Sequence, residues 1–379
     1  MITKWLSSLT LLSATLHGWG NSSYKTPTLQ TPPPLPLSDA SFPLNTDQEW
    51  FVKPSLLVWR PYQGDIDTGF TQTTTSTAPL KDKDKTQSVK FKWGTGVRVT
   101  AGKYLPHHEL WDVTLATTYF YSDAKKNIKG NNNLSSDLMP NIAGLIVIAD
   151  GWNPSLLGRS AKTELNWRIN YFTWDLALGR LYSLTPKVVL HPFICLRTML
   201  IYEKYSNRND SLDVNTGGDF FLRHTRFRAT NNVWGIGPRV GSDFAFYFGK
   251  GWFFQGGLSG AIVMGRYHIH ERLNGFILDE AHPPSPSAEL KIRDADTVMR
   301  ANFEGNIGLG WEKWVRKHSV RMAPSFIFEV SNWFLINNWA ATNLPIPTTP
   351  GVPDWGMNSI RRMGDLGFLG FTVNLQVDF

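Results

Sequence analysis

The sequence predicts an all-β fold: an up-and-down, transmembrane antiparallel β-barrel of about ten strands, within a range of roughly eight to fourteen, with long extracellular loops and short periplasmic turns. Three observations carry this. The closing stretch LGFLGFTVNLQVDF (Leu366–Phe379) sets Phe371, Val373, Leu375, Val377 and Phe379 on one face and Thr372, Asn374, Gln376 and Asp378 on the other. A period of two with unlike sides suits a strand with lipid outside and a polar lumen inside, although a soluble sandwich strand alternates in the same way. The connections between successive strand candidates then alternate long and short without exception, as in an outer-membrane barrel. Finally, charged residues are 18% of the chain while aromatics reach 13%, with 16 Trp. A chain poor in charge and rich in rings suits strands that face lipid on one side and gather aromatics at the interfaces.

Residues 1–20 read as a secretory signal. Lys4 precedes the modestly apolar Leu6–Leu16, and Gly18 and Gly20 flank a cleavage site. Residues 21–48 read as a Pro/Thr-rich flexible periplasmic segment. Its TPPPLPL run forbids a helix, and a polyproline spacer is the alternative. The barrel is expected over 49–379. No stretch reaches about 18 consecutive apolar residues, so a spanning helix is not supported.

Ten strand candidates follow in order. Phe51–Arg60 is short and contains Trp59. In Val89–Val99, Val89, Phe91, Trp93, Val97 and Val99 share a face, opposite Lys90, Lys92, Gly94, Gly96 and Arg98. Cations on that face need a wet lumen or solvent, not a dry core. Leu110–Tyr121 keeps Trp111, Val113, Leu115, Tyr119 and Tyr121 in phase. In Ala161–Leu178, Leu165, Trp167, Ile169 and Tyr171 alternate with Glu164, Asn166, Arg168 and Asn170. Past Tyr171 the apolar set becomes Phe172, Trp174, Leu176 and Leu178. A bulge would do this, and so would two short strands. Lys187–Tyr202 is almost continuously apolar around Arg197, and Val233–Phe248 sets Phe244, Phe246 and Phe248 against Arg239 and Asp243. Trp252–Tyr267 is Gly-rich, which allows close packing or sharp curvature. Thr297–Glu312 and Ser319–Asn332 alternate clearly, and Leu366–Phe379 closes the set. Asp219–Ala229 could hide a further partner.

The connections span about 61–88, 100–109, 122–160, 179–186, 203–232, 249–251, 268–296, 313–318 and 333–365, and the long ones are rich in turn and polar residues. Asn141–Ala149 is the apolar exception, read either as an inward constriction or as packing on the rim.

Catalytic signatures are nearly absent, so the chain is read as no enzyme, with no cofactor and no metal site. There is no G-x-S-x-G, H-E-x-x-H or phosphate-binding loop. His268 with His270, and His107 with His108, lack a third ligand at suitable spacing. The net charge of +7 comes from scattered basic residues, which argues against nucleic acid as a partner. The one cysteine, Cys195, rules out an internal disulfide framework and reads as a small hydrophobe.

If the apolar faces look outward, the lumen is lined by Lys90, Lys92, Arg98, Glu164, Arg168, Arg197, Arg239, Asp243, Arg300, Glu304, Arg321 and Glu329, with Glu312 and Asp378 beside them. Such residues form either a charged channel that sorts solutes or a closed network of ion pairs filling a narrow barrel. Cations are in excess among them, which hints at anion preference.

The stretches LNWRINYFTWDLALGR (Leu165–Arg180), VVLHPFICLR (Val188–Arg197), NNVWGIGPRVG (Asn231–Gly241), FFQGGLSGAIVMGRY (Phe253–Tyr267) and the terminal GFTVNLQVDF resemble the major-outer-membrane-protein-like family of Legionella and the environmental Chlamydiae. The resemblance covers roughly Trp50 to Phe379. It implies a pore-forming barrel in the cell outer membrane, with a porin-like role for small hydrophilic solutes or ions. It maps the family's Gly–Pro–Arg segment onto Gly237, Pro238 and Arg239, with Arg239 in the lumen. The major chlamydial porins are cysteine-rich and cross-linked, and this chain departs from them there. A non-conducting structural or adhesin barrel presenting its loops is the other reading. Expected partners are outer membrane lipid and lipopolysaccharide, the barrel assembly machinery and a homo-oligomeric copy.

Overall fold

In a computed structural model the described residues are 50–64, 69–73, 85–87, 89–105, 110–129, 136–139, 159–213, 220–279, 287–315, 320–336, 339–343 and 358–379. The signal and Pro/Thr-rich readings, His107, His108 and Asn141–Ala149 lie outside them. Ten strands form a closed antiparallel ring: β1 (Trp50–Gln63), β2 (Gly94–Tyr104), β3 (Trp111–Lys129), β4 (Arg159–Arg180), β5 (Val188–Asp213), β6 (Phe220–Gly249), β7 (Trp252–Asp279), β8 (Ser287–Trp311), β9 (Val320–Trp333) and β10 (Leu366–Asp378). Each pairs with its sequence neighbour, and β10 pairs with β1 from Phe51↔Asp378 to Gln63↔Leu366, which shuts the ring. Closure leaves no open edge in lipid. Tyr182–Thr185 and Lys313–Val315 add short extra strands beside β5 and β9 at the short-turn end. The β6–β7 turn is Gly249-Lys250-Gly251, with positive φ at all three residues. Glycine adopts that conformation without a Cβ clash, so two of the three positions suit a tight hairpin.

The strands outrun the sequence expectation at the loop end. β5 has 26 residues, β6 has 30 and β7 has 28. Phe220–Ala229 is the upper third of β6 and not a separate partner strand. Much of the connections expected at 203–232 and 268–296 is strand. The physical reason appears on β4. Leu165, Trp167, Ile169 and Tyr171 are buried inside the ring, while Trp174 and Leu176 are exposed outside it. β4 nevertheless pairs with β3 from Lys129↔Lys162 to Trp111↔Arg180 without a register shift. There is neither a bulge nor a break, so both expectations for the phase change are corrected. The strand runs straight and its surroundings change.

Two tiers result. In the short-turn half the outer face is apolar, with Leu196 and Leu200 on β5, Ile236 and Val240 on β6, Ile262 and Met264 on β7 and Phe303 and Ile307 on β8 all exposed. Trp50, Trp252 and Trp311 stand at its lower edge, and Trp93, Trp174 and Trp234 at its upper edge. A contiguous apolar band of this extent, rimmed by rings, is a surface for lipid. In the loop half the inside is apolar. Leu57, Phe120, Leu165, Trp167, Ile169, Met199, Ile201, Val233, Val263, Tyr267, Trp333 and Phe368 form one buried cluster within the ring. Burying each such side chain is worth about 1.5–3 kcal/mol. The outer wall here carries charge instead, as at Arg168, Lys204, Arg228, Arg266 and Arg272, which are exposed.

The segment before β2 supplies a further correction. β2 begins at Gly94, so Val89–Trp93 is not strand. Val89 and Phe91 turn into the upper core instead of sharing the lipid face of Val97 and Val99. Phe91 meets Trp167 edge-on at 4.7 Å, and its carbonyl accepts a hydrogen bond from Arg60 Nε at 3.2 Å.

Candidate functional site

In the short-turn half many inward positions are charged or polar, and the charged ones pair across the ring. Asp175 on β4 and Arg197 on β5 are register neighbours. Arg197 donates to both Asp175 oxygens at 2.7 Å and also reaches Glu304 on β8 at 2.5 and 3.0 Å and Asn302 Oδ1 at 2.6 Å. Arg239 on β6 completes the cluster, contacting Glu304 Oε2 at 2.8 Å, Asp175 Oδ2 at 3.3 Å and Ser259 Oγ at 2.9 Å. Two guanidinium groups and two carboxylates thus share one network. Arg98 on β2 holds Glu329 on β9 through two bonds at 2.9 and 3.3 Å and lies over the Trp59 ring. Nearer the turns, Arg321 joins Glu312 at 2.8 Å and Asp378 at 2.7 Å, and His191 meets Asp112 at 2.7 Å. Pairing is what makes these charges tolerable, because a lone ion inside a narrow barrel keeps an unrepaid desolvation cost.

Below and around this network, in the short-turn half of the barrel, is a cavity of about 330 Å³ walled by both charges and rings. Tyr171, Trp59 and Phe368 line its upper limit. There the ring is crossed from wall to opposite wall: Trp333 Nε1 on β9 donates to the Tyr171 hydroxyl on β4 at 3.3 Å. Tyr171 also packs on Phe368 at 4.8 Å between centroids. Above that layer the packed apolar core begins. A small polar island sits within it, where the Trp167 indole N–H reaches Glu203 at 2.7 Å and Gln63 at 2.6 Å.

The structure distributes the residues read as lumen-lining as follows. Arg98, Arg197, Arg239, Glu304, Arg321 and Glu329 meet inside the ring. Asp243 lines the cavity without joining an ion pair among the described residues. Arg300 points inward at the upper boundary, its Nε on the Tyr267 hydroxyl at 3.2 Å. Lys90 and Lys92 are exposed in the segment before β2, and Arg168 is exposed on the outer wall. Glu164, on the same outer face, pairs with Lys162 Nζ at 2.5 Å. Arg168 and Glu164 lie off the lumen because alternation reverses its meaning above the lipid band, and Lys90 and Lys92 because Val89–Trp93 is not strand and turns Val89 and Phe91 inward. His268 and His270 likewise stand on the outer face of β7.

Lys53, Asp112 and Asp175 are inward residues that sequence reasoning missed, whereas Asn302 was read on the polar face of its strand and is buried there. Asp175 did carry a signal. Like Arg197, it is a lone charge in an apolar run, between Trp174 and Leu176. Cys195 is buried on the inner side of β5. Among the described residues no group of three or more His, Cys, Asp or Glu side chains could hold a metal ion.

Two solved outer-membrane proteins match the chain at low identity. The outer membrane protease OmpT of Escherichia coli matches at 8% identity over 87% of this chain and 96% of that one, with a TM-score of 0.37. The toluene transporter TodX of P. putida matches at 7% identity over 88% of this chain and 90% of that one, with a TM-score of 0.26. No curated protein matches the chain. The model of the family described as Legionella pneumophila major outer membrane protein precursor matches residues 42–379, so the chain belongs to that family and is a protein of the outer membrane.

Proposed function

We propose that this chain is a closed-lumen outer-membrane barrel, whose role is to hold a rigid, water-standing wall above the lipid band and to present the loops at its top. One observation supports the reading most: the Tyr171–Trp333 contact joins opposite walls directly beneath an apolar core in which Leu165, Ile169, Met199 and Val263 are all at 0% exposure. A ten-stranded ring is narrow, and side chains alone fill it. Hydrated solutes do not pass such a layer without shedding water.

The second reading is a porin-like path for passive diffusion of small hydrophilic solutes or ions. The charged cavity that reaches mid-barrel from the short-turn end favours it. Conduction on this reading requires the apolar layer to part. A planar bilayer containing the purified full chain separates the two. A closed lumen gives a flat current in about molar salt over the range of membrane potentials. Reproducible unitary steps that change when Arg197 or Arg239 is neutralised would establish the porin-like path and end the first reading.

A further inference from the structure

The short-turn cavity holds one cation and one anion that the ion-pair network leaves over. Lys53 lies on β1 and Asp243 on β6, on opposite sides of the ring, and both line the cavity. Among the described residues neither makes a salt bridge or a side-chain hydrogen bond. Every arginine and glutamate around them is engaged: Arg98 with Glu329, Arg197 and Arg239 with Glu304, and Arg321 with Asp378. The remaining wall mixes neutral polar side chains, such as Thr100, Gln255 and Asn306, with an apolar patch. Tyr247 and Phe253 form a buried cluster with Val189 and Ala323 at this end of the barrel.

We propose that this cavity is a binding site for a small zwitterion, a free α-amino acid with an apolar side chain, held with its carboxylate toward Lys53 and its ammonium toward Asp243. The chemistry follows from what is unmatched. A net anion satisfies Lys53 but leaves Asp243 facing a second negative charge. A net cation does the reverse. A zwitterion satisfies both and adds no net charge. Its side chain goes to the Tyr247–Phe253 wall. The volume of about 330 Å³ sits at the small end of ligand pockets, which suits a single amino acid. The site lies in the short-turn half of the barrel, and the proposal holds whether or not the lumen conducts.

Calorimetric titration of the full chain in detergent micelles tests this with three probes of one shape. L-leucine carries both charges, leucinamide only the ammonium, and 4-methylpentanoate only the carboxylate. Leucine is expected to bind at least about tenfold more tightly than either analogue, the equivalent of one charged contact. In Lys53→Met leucine loses its advantage over leucinamide. In Asp243→Asn it loses its advantage over 4-methylpentanoate. Heat-dependent gel mobility confirms that each variant has closed its barrel. Absence of leucine binding, equal binding of the three probes by the natural chain, or a uniform loss of all three in both variants overturns the proposal. The natural chain's preference among the probes decides the matter even where a variant fails to assemble.

Discussion

Successive inward positions on β5 separate the two halves of the barrel. Arg197 is bound to Asp175 and Glu304, while Met199 and Ile201, one and two pleats higher, sit at 0% and 2% exposure in a cluster of aliphatic and aromatic side chains. The outward positions show the converse. Leu196 and Leu200 are bare, and Lys204 follows in the direction of the loops. One strand is therefore built as a membrane strand below and as a soluble sandwich strand above. Each tier keeps apolar matter away from water, but the water is on opposite sides. In the lower tier lipid already accepts the apolar face, so the inside is free to be polar provided its charges are matched. In the upper tier the inside is the only dry place available, and the hydrophobic core moves there.

The largest effects come from breaking each tier on its own terms. Trp333→Ala removes a fully buried ring from the upper core and is expected to cost about 3–5 kcal/mol. Arg197→Leu is expected to cost a similar amount, about 3–5 kcal/mol, because it strands buried carboxylates. The two differ in what repairs them. Adding Asp175→Asn to Arg197→Leu leaves Arg239 balanced by Glu304, and most of the lost stability returns. No charge change restores Trp333→Ala. Urea unfolding in detergent, followed by gel mobility, measures all three variants. A loss below about 1 kcal/mol for Trp333→Ala would mean that the upper lumen is not a packed core.

A smaller effect locates the boundary between tiers. Ile262 and His268 lie on the same outer face of β7, with Met264 and Arg266 between them. Ile262→Arg puts a cation into the lipid band and is expected to cost about 2–4 kcal/mol. His268→Arg, past the native Arg266, is expected to stay within about 0.5 kcal/mol. Equal costs at the two sites in lipid vesicles would erase the distinction.

The fold was legible because ring closure, strand number and the lower tier all follow from alternation and connection length. On β9 and β10 every face was read correctly, with Arg321, Ser325 and Glu329 inward and Phe326, Phe371 and Val373 outward. Alternation identifies two faces but does not say which one is inside. On β4 the switch from Leu165–Tyr171 to Phe172–Leu178 was visible in the sequence, and its cause, a strand leaving lipid for water, was not. The cross-ring partners were less legible still. Arg98 and Glu329 lie far apart in the chain and meet only because β10 closes against β1. Lys53 was missed because β1 shows no sustained alternation of charge with apolar residues.

The smallest expected effect tests that reversal most directly. Arg168 belongs to the outer wall of the upper tier, so Arg168→Cys replaces one exposed side chain by another. Stability is expected to change by no more than about 0.5 kcal/mol. The new thiol should react rapidly with a bulky maleimide that cannot cross the membrane, when the barrel is displayed in intact outer membranes. The native Cys195, 7% exposed on the inner side of β5, is the internal control and should stay unlabelled until the barrel is unfolded. If Ile169 and Trp167 faced out and Arg168 faced in, the pattern would change on both counts. Arg168→Cys would be shielded like Cys195, and the substitution would disturb a lumen contact and lower stability. A slow, unfolding-dependent reaction at this position would therefore remove the upper core as the basis of the closed lumen, whereas fast labelling leaves Leu165, Trp167, Ile169 and Tyr171 no place but the interior.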